Sequence, residues 1–217
     1  MERCDFLPVS AEEMHERGWW WYDALVVSGD AYVDHPSFGT AVISRVLEAE
    51  GLRVAVLAQP DWHDAEAFRA MGRPRLGVFI GAGNLDSMVA HYTAAKRRRS
   101  EDFYSPGKRS GCRPDRAAIV YCNRTREAFG PDMPIILGSL EASLRRFAHY
   151  DYWDDSVRRA ILFDAPADLL VYGMGEAATI EIAHRLKKNQ SVRTMTDIPG
   201  TGEAWVTSAH PNGDCEI

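Results

Sequence analysis

Residues 24–28 read Ala-Leu-Val-Val-Ser, and Gly29-Asp30 follows them directly. A short apolar run that stops at a glycine is typical of a strand buried on both faces of a parallel sheet. Four later runs have the same character, at residues 53–58, 76–80, 134–137 and 168–172. Helical patterns lie between the runs, and Ser37 is predicted to cap the helix at residues 38–50. Strands that alternate with helices predict a doubly wound α/β domain with a five-stranded parallel sheet.

Glycine-rich turns follow four of the five predicted strands. They are Gly29-Asp30, Gly81-Ala82-Gly83, Gly138-Ser139 and Gly173-Met174-Gly175-Glu176. In an open parallel sheet, ligands bind beyond the carboxyl ends of the strands, where the strand order reverses. The turns therefore predict a ligand-binding face along that edge. Gly138 and Gly173 are expected to let the backbone approach a ligand closely, since they carry no Cβ.

The turns and the loops beside them supply the candidate cofactor- or substrate-binding residues. These are Gly29, Asp30, His35, Ser37, Gly83, Asn84, Gly138, Glu141, Gly173, Gly175 and Glu176. We expect Asp30, His35 and Glu141 to point into a shared cleft, because loops at this edge often carry function. The alternative is structural: each glycine only makes a tight turn, Asp30 bonds the loop backbone, and Glu141 pairs with Arg145 at i,i+4.

The last of these turns fits a nucleotide-binding pattern. Residues 173–178 read Gly-Met-Gly-Glu-Ala-Ala, which satisfies Gly-x-Gly-x-x-Ala. The pattern belongs in the first βαβ unit, whereas here it follows the last predicted strand. Glu176 also falls in the first helical turn, where its charge would repel a phosphate. A nucleotide site is therefore disfavoured.

Residues 91–116 interrupt the alternation of strands and helices with eight Lys or Arg residues against three acidic ones. A loop of this length inside a compact domain is usually functional or disordered. We interpret it as a basic insertion that folds over the ligand face as a lid. Binding of RNA or phosphate through it is the alternative. Nucleic-acid binding is disfavoured because few aromatic residues are available to stack bases and the chain's net charge is −6.

Regular periodicity ends near Asn189. Residues 191–217 are rich in glycine and proline, so they are interpreted as a linker or truncated tail after a domain at residues 1–190. No apolar run approaches the roughly 20 residues of a membrane-spanning helix, and the N-terminus has no secretory signal. A cytoplasmic location and no membrane contact are therefore expected.

The four cysteines are Cys4, Cys112, Cys122 and Cys215. No two of them have the spacing of a zinc, iron–sulfur or thioredoxin-like motif. Free thiols are expected in a reducing compartment, and no metal ligand or catalytic residue is predicted on the chain.

Five blocks of the sequence together resemble the N-terminal domain of YgiQ-like radical S-adenosylmethionine (SAM) proteins. The blocks are residues 30–39 (DAYVDHPSFG), 59–63 (QPDWH), 83–88 (GNLDSM), 113–117 (RPDRA) and 141–153 (EASLRRFAHYDYW). The resemblance implies a flavodoxin-like, cobalamin-binding-like fold with strand order 2-1-3-4-5. It also implies that a [4Fe-4S] cluster and S-adenosylmethionine belong to a following domain with a Cys-x3-Cys-x2-Cys motif, which this chain lacks.

Cobalamin is a possible ligand of such a domain. Base-off cobalamin proteins use Asp-x-His-x-x-Gly after the first strand, but here Asp34 and His35 are adjacent. Asp61-Trp62-His63 has the Asp-x-His spacing, but it follows the second strand, and Glu66 replaces the glycine. A histidine-ligated cobalamin is therefore disfavoured, and a cobalamin held without protein ligation remains open.

The sequence is most consistent with a substrate- or cofactor-recognition domain of a YgiQ-like radical SAM protein, inactive on its own. Its expected partner is the radical domain, which would dock on the aromatic and acidic residues at 149–155. The alternatives are a genuine cobalamin-binding module and an RNA- or phosphate-binding adaptor that acts through the basic insertion.

Overall fold

The structure, a computed structural model, describes residues 6–204. The strands in this range are β1 (Ala24–Ser28), β2 (Val54–Ala58), β3 (Gly77–Gly81), β4 (Ile135–Gly138), β5 (His149–Asp151), β6 (Ser156–Arg158), β7 (Leu169–Val171) and β8 (Thr201–Gly202). The α-helices are α1 (Ala11–Glu16), α2 (Gly39–Ala49), α3 (Glu66–Arg69), α4 (Ser87–His91), α5 (Ala117–Phe129), α6 (Ser139–Leu144) and α7 (Glu176–Lys187).

The main sheet has six strands in the order β2-β1-β3-β4-β7-β8. The first five pair in parallel, and they are the strands that the sequence predicts. The predicted count of five is wrong by one, because β8 adds an antiparallel edge strand through Leu170–Gly202 and Val171–Thr201. A strand of two residues in a glycine-rich segment has no apolar alternation from which it could be predicted.

The chain after residue 190 packs against the core rather than leaving it. Val192, Met195 and Ile198 are buried in the same cluster as Ile182 and Leu186 of α7. The interpretation of a linker from residue 191 therefore does not describe the segment up to residue 204. Residues 205–217, with Cys215, and residues 1–5, with Cys4, lie outside the described range.

The sheet is covered on both faces, as the apolar runs predict. Along β1, Leu25 and Val27 pack towards α3 and α5, while Val26 packs towards α2 and α7. Each fully buried side chain of this size stabilises the fold by roughly 1.5–3 kcal/mol. A strand with a core on each face must be apolar at every position, which is why no polar alternation interrupts residues 24–27.

The strands β5 and β6 form a separate antiparallel hairpin outside the main sheet. Arg116, at the start of α5, donates to Asp151 of this hairpin at 3.0 Å. Tyr152 donates from its hydroxyl to the Ala94 carbonyl oxygen at 2.6 Å, so the hairpin packs against the basic insertion.

Candidate functional site

A cavity of about 310 Å³ opens at the carboxyl ends of β1, β3, β4 and β7. Its floor is the sheet face that carries Val26, Phe79, Ile136 and Val171, and α2 adds Val42 and Ile43. This face is the one that packs against α2 and α7. The cavity therefore runs down from the edge of the sheet between its strands and these two helices.

The mouth of the cavity is formed by the glycine turns. Gly81, Gly83, Gly138, Gly173 and Gly175 all line it. The register explains their convergence, because Gly81 of β3 is paired with Gly138 of β4 at the end of both strands. Glu176, at the start of α7, lines the same mouth. The convergence of the turns after β3, β4 and β7 at one cavity agrees with the predicted ligand face; a ligand there stays a prediction.

The glycines after β1 and β3 serve close packing between two loops. A Cβ on Gly29 would lie 2.1 Å from the Ala82 carbonyl oxygen. A Cβ on Gly83 would lie 2.1 Å from Oδ1 of Asp30, and Gly83 has a φ of +110°. Glycine is therefore required at both positions by the fold, and Gly29 does not line the cavity.

Asp30 belongs to a buried ionic cluster that the sequence does not predict. Nη1 of Arg113 donates to Asp30 at 2.7 Å, and Nη2 donates to Asp102 at 2.8 Å. The second oxygen of Asp30 accepts from the backbone N–H of Asn84 at 2.7 Å. Burial raises the pKa of the Asp30 carboxyl, and the guanidinium of Arg113 opposes that shift. Asp30 does not line the cavity, so the predicted shared cleft does not include it.

Asn84 performs the capping that the sequence assigns to Ser37. The N-cap position of α2 is Phe38, which makes no side-chain capping bond. Oδ1 of Asn84 accepts from the backbone N–H of Gly39 at 3.2 Å, and its Nδ2 donates to the Ser37 carbonyl oxygen at 2.9 Å. The capping group therefore comes from the next loop along the sheet, which local sequence patterns cannot show.

His35 is exposed, and its Nδ1 accepts from the backbone N–H of Ser37 at 3.1 Å. Neither His35 nor Ser37 lines the cavity, and nor does Asn84. His63, in the loop after β2, is within 2.6 Å of Asp61 and is also away from the cavity.

Glu141 is fully buried and holds the starts of two helices. One carboxylate oxygen accepts from the backbone N–H and the hydroxyl of Ser87 at 3.0 and 2.7 Å, and the other accepts from the N–H of Ala118 at 3.1 Å. Burial raises the pKa of the Glu141 carboxyl. The alternative i,i+4 pair is wrong, because α6 ends at Leu144 and Arg145 instead pairs with Asp86. Glu141 does not line the cavity, so the predicted shared cleft does not include it either.

The basic insertion does not cover this cavity as a lid, since no residue between 91 and 116 lines it. The insertion instead packs on the loops after β1 and β2. The Ala31 N–H donates to the Tyr104 carbonyl oxygen at 2.9 Å, and Gln59 donates to the Ser105 hydroxyl at 2.7 Å. Within the insertion, Arg113 is buried, while Arg97, Arg98 and Arg99 are exposed.

Within residues 6–204, no group of three His, Cys, Asp or Glu side chains could hold a metal ion. Cys112 and Cys122 are free thiols, and burial strongly raises the pKa of Cys122. None of the helices in this range is long and apolar enough to cross a membrane.

The sequence patterns missed the apolar depth of the cavity and the Arg113 cluster. Val26, Phe79 and Ile136 are indistinguishable in sequence from strand residues that only fill a core. The acidic partner of Arg113 at residue 30 is 83 positions away, so no local spacing relates the two residues. Arg113 is one of eight Lys or Arg residues in the insertion, so its sequence context does not distinguish it from the exposed ones.

The fold and the cavity define an α/β domain with a mostly parallel sheet and a ligand-sized cavity at the carboxyl ends of its strands. A sequence model of the radical SAM N-terminal family matches residues 6–215, and the chain therefore belongs to that family. The resemblance drawn from the sequence blocks is confirmed.

Curated relatives are similar over almost the whole chain. A UPF0313 protein of Clostridium botulinum is 56% identical over 93% of this chain, and one of Pseudomonas aeruginosa is 54% identical over 98%. One of Methanosarcina acetivorans is 57% identical over 90%. The chain spans only 31%, 28% and 26% of these relatives, respectively. It therefore corresponds to the N-terminal part of longer proteins.

Among solved structures, the chain is similar to the radical S-adenosylmethionine methyltransferase TsrM from Kitasatospora setae, with cobalamin and a [4Fe-4S] cluster bound. The TM-score is 0.49 with 22% identity, over 82% of this chain and 26% of that chain.

Proposed function

We propose that this domain is the small-molecule recognition module of a radical SAM protein and binds a substrate or organic cofactor in the cavity. The observation that carries the proposal is the position and lining of the cavity. It lies at the carboxyl edge of a parallel sheet, has an apolar floor and is ringed by glycines. The chemistry would then be performed by the remainder of the full-length protein, with the iron–sulfur cluster and S-adenosylmethionine held there.

The surface around the mouth supports a docking role for that remainder. Met174 lines the mouth and is 86% exposed, and Phe147 is 69% exposed. The guanidinium of Arg146 lies 4.9 Å from the ring of Phe147 and 5.1 Å from the ring of Tyr172, so these residues form one patch. Apolar groups in such a patch are typical of an interface. Most of each relative's length lies outside the matched region, and we propose that this remainder docks on the patch.

The hairpin at β5–β6 is the weaker candidate for this interface. Its Asp151 is paired with Arg116, and the ring of Trp153 lies 5.4 Å from the ring of Tyr92. These side chains contact the basic insertion, so fewer of them are available to a partner. Tyr150 and Val157 remain exposed there.

Cobalamin is the second candidate ligand, in a form without a protein ligand to cobalt. Within the described range, no histidine lines the cavity, and His35 and His63 lie elsewhere. The lining residues could contact the organic part of a corrinoid, but they offer no histidine to its cobalt. At about 310 Å³, the cavity is at the small end of the usual range of ligand pockets, so it would accept only a portion of so large a cofactor.

Amide NMR of the isotopically labelled chain tests the recognition role. Hydroxocobalamin and a set of small organic fragments would be titrated, with Gly138→Leu as the blocking variant and Gly202→Leu as its control. A Cβ on Gly202 meets nothing within 4 Å, and Gly202 does not line the cavity. We expect shifts concentrated at the cavity residues, abolished by Gly138→Leu and retained in Gly202→Leu. Shifts scattered over the surface, or equal in both variants, would contradict the proposal.

A further inference from the structure

The mouth of the cavity carries a carboxylate that has no partner. Glu176 lines the cavity, and within residues 6–204 it makes no hydrogen bond or ion pair. It is the only charged residue among those that line the cavity in the described part of the chain. Glu176 is half-buried, so one side of its carboxylate is available to a donor in the cavity.

Nearly all other carboxylates that are buried to a similar or greater degree are paired, Glu203 being the exception in the described residues. Asp30 is paired with Arg113, Asp86 with Arg145, and Asp168 with Arg126. Glu141 has no arginine partner, but it accepts from three donors. Of the two half-buried carboxylates without a partner in residues 6–204, only Glu176 lines the cavity, where a ligand would supply the missing donor.

Two glycines at the mouth have no structural reason to be glycine. A Cβ on Gly39 would meet nothing within 4 Å, and a Cβ on Gly138 would meet only the Val171 carbonyl oxygen at 3.7 Å. Neither residue has a φ in the left-handed region. Gly29 and Gly83, by contrast, could not carry a side chain without a collision. Gly39 and Gly138 line the same cavity as Glu176, so the space that their missing side chains leave adds to it.

The charge at the mouth disfavours an anionic ligand. The start of α7 faces the cavity, and a helix start alone would favour an anion. Glu176 occupies the first turn of α7 and cancels that preference. In the described part of the chain, no Arg, Lys or His lines the cavity to balance a phosphate or carboxylate.

We propose that the cavity takes a compact neutral or cationic organic molecule, whose apolar body sits on the Val26–Phe79–Ile136 floor and whose N–H or O–H donor meets Glu176. This inference rests on the proposed recognition role of the cavity. It narrows the ligand class to amines, amides and alcohols with an apolar or aromatic body, and it excludes ligands anchored by a phosphate.

Three indole compounds with the same apolar body test the preference. Tryptamine carries an ammonium group, tryptophol a hydroxyl group, and indole-3-acetate a carboxylate. Their dissociation constants for the 217-residue chain would be measured by amide NMR titration at fixed ionic strength. We expect tryptamine to bind about tenfold more tightly than indole-3-acetate, with tryptophol between them, since a charge-assisted hydrogen bond contributes on that scale.

Two variants distinguish the effect of a local contact with Glu176 on binding from the effect of the chain's overall charge of −6. Glu176→Gln should bring the ratio between tryptamine and indole-3-acetate close to one. Glu181→Gln removes the same charge on the same helix, away from the cavity, and should leave the ratio unchanged. An equal loss in both variants would show a general charge effect and overturn the proposal.

The remaining outcomes are also decisive. Equal binding of the three compounds, with shifts at Gly138 and Gly175, would overturn the ligand class but leave the recognition role intact. Tighter binding of indole-3-acetate than of tryptamine would overturn the proposed ligand class directly. If none of the three compounds binds at millimolar concentration, the proposed ligand class is overturned as well. The Gly138→Leu titrations then decide separately whether the cavity binds any ligand.

Discussion

The carboxyl edge of the sheet has two halves that look alike in sequence and differ in structure. After β1 and β3, Asp30 is paired with a buried arginine, and glycines Gly29 and Gly83 allow two loops to press together. After β4 and β7, a Cβ on Gly138 would meet only the Val171 carbonyl oxygen at 3.7 Å, and Glu176 is unpaired. In the first half, the polar groups are paired with one another, although Gly81 and Gly83 still line the cavity; in the second half, the carboxylate at the cavity mouth has no partner.

This difference shows that a glycine or a carboxylate after a strand does not by itself mark a ligand site. What separates the two halves is whether the chain already satisfies the group. Asp30 and Glu141 have several donors each, so their charges stabilise loops and helix starts. A group that lacks a partner beside a cavity is the better indication of a ligand.

The largest expected effect is the loss of the arginine that pairs with the carboxylates of the first half. Arg113→Met would leave the carboxylates of Asp30 and Asp102 buried without a cation. We expect the free energy of unfolding to fall by about 3–5 kcal/mol, measured by urea denaturation. Arg97→Met, at an exposed position of the same insertion, should change it by no more than about 0.5 kcal/mol. Similar values for both variants would mean that the cluster does not stabilise the domain.

Glycine-to-alanine variants compare the two halves directly. Gly83→Ala would place a methyl group against Asp30 at a φ of +110°, and we expect a loss of about 3 kcal/mol. Gly138→Ala should be neutral to within about 0.5 kcal/mol, because its Cβ meets no atom closer than 3.7 Å. Thermal and urea unfolding would measure both. A large loss at Gly138 would show that this glycine also serves the fold, and the contrast between the halves would disappear.

The sequence predicts the parallel strands of the domain well because each strand depends on a local apolar pattern. The five parallel strands and their order follow from apolar runs and from the resemblance of the motif blocks. The partners of Asp30 and Glu141 could not be predicted, because they lie 83 and 54 residues away and are fixed only by packing. For the same reason, Ser37 was assigned a cap that Asn84 provides from another loop.

Of the candidate binding residues, Gly83, Gly138, Gly173, Gly175 and Glu176 line the cavity. They come from turns at strand ends, whose position follows from the strand pattern itself. Gly29 does not line the cavity because it packs against Ala82, and the other candidates that do not line it depend on side-chain direction, which spacing in a loop does not determine. The predicted cleft of Asp30, His35 and Glu141 rests on residue type and on position at the edge of the sheet, and packing directs these side chains elsewhere.

A smaller effect is expected where a buried carboxylate is replaced by its amide. Glu141→Gln keeps the shape but replaces one carboxylate oxygen by an NH₂ group, which then faces the donors of Ser87 or the N–H of Ala118. One donor then faces another, and the free energy of unfolding should fall by about 1–3 kcal/mol. Glu176→Gln, by comparison, should be neutral to within about 0.5 kcal/mol, since it loses no partner. Urea titrations of the two variants at one pH measure both free energies of unfolding, and equal losses in the two variants would contradict the expected difference.

The smallest effect on stability, with a clear effect on association, is expected at the cavity mouth in the second half. Met174→Asp replaces an 86% exposed side chain, so the free energy of unfolding should change by no more than about 0.5 kcal/mol. If the remainder of the full-length protein docks over the mouth, the substitution should weaken its association by about tenfold, because a carboxylate must then lose water at an apolar contact. Calorimetric titration of the domain with that remainder, supplied as a separate chain, measures the change. Val157→Asp on the β5–β6 hairpin is the matched control, with an apolar side chain that is 77% exposed on the alternative surface. A loss at Val157 and none at Met174 would move the interface to the hairpin, and the mouth would then face solvent rather than the rest of the protein.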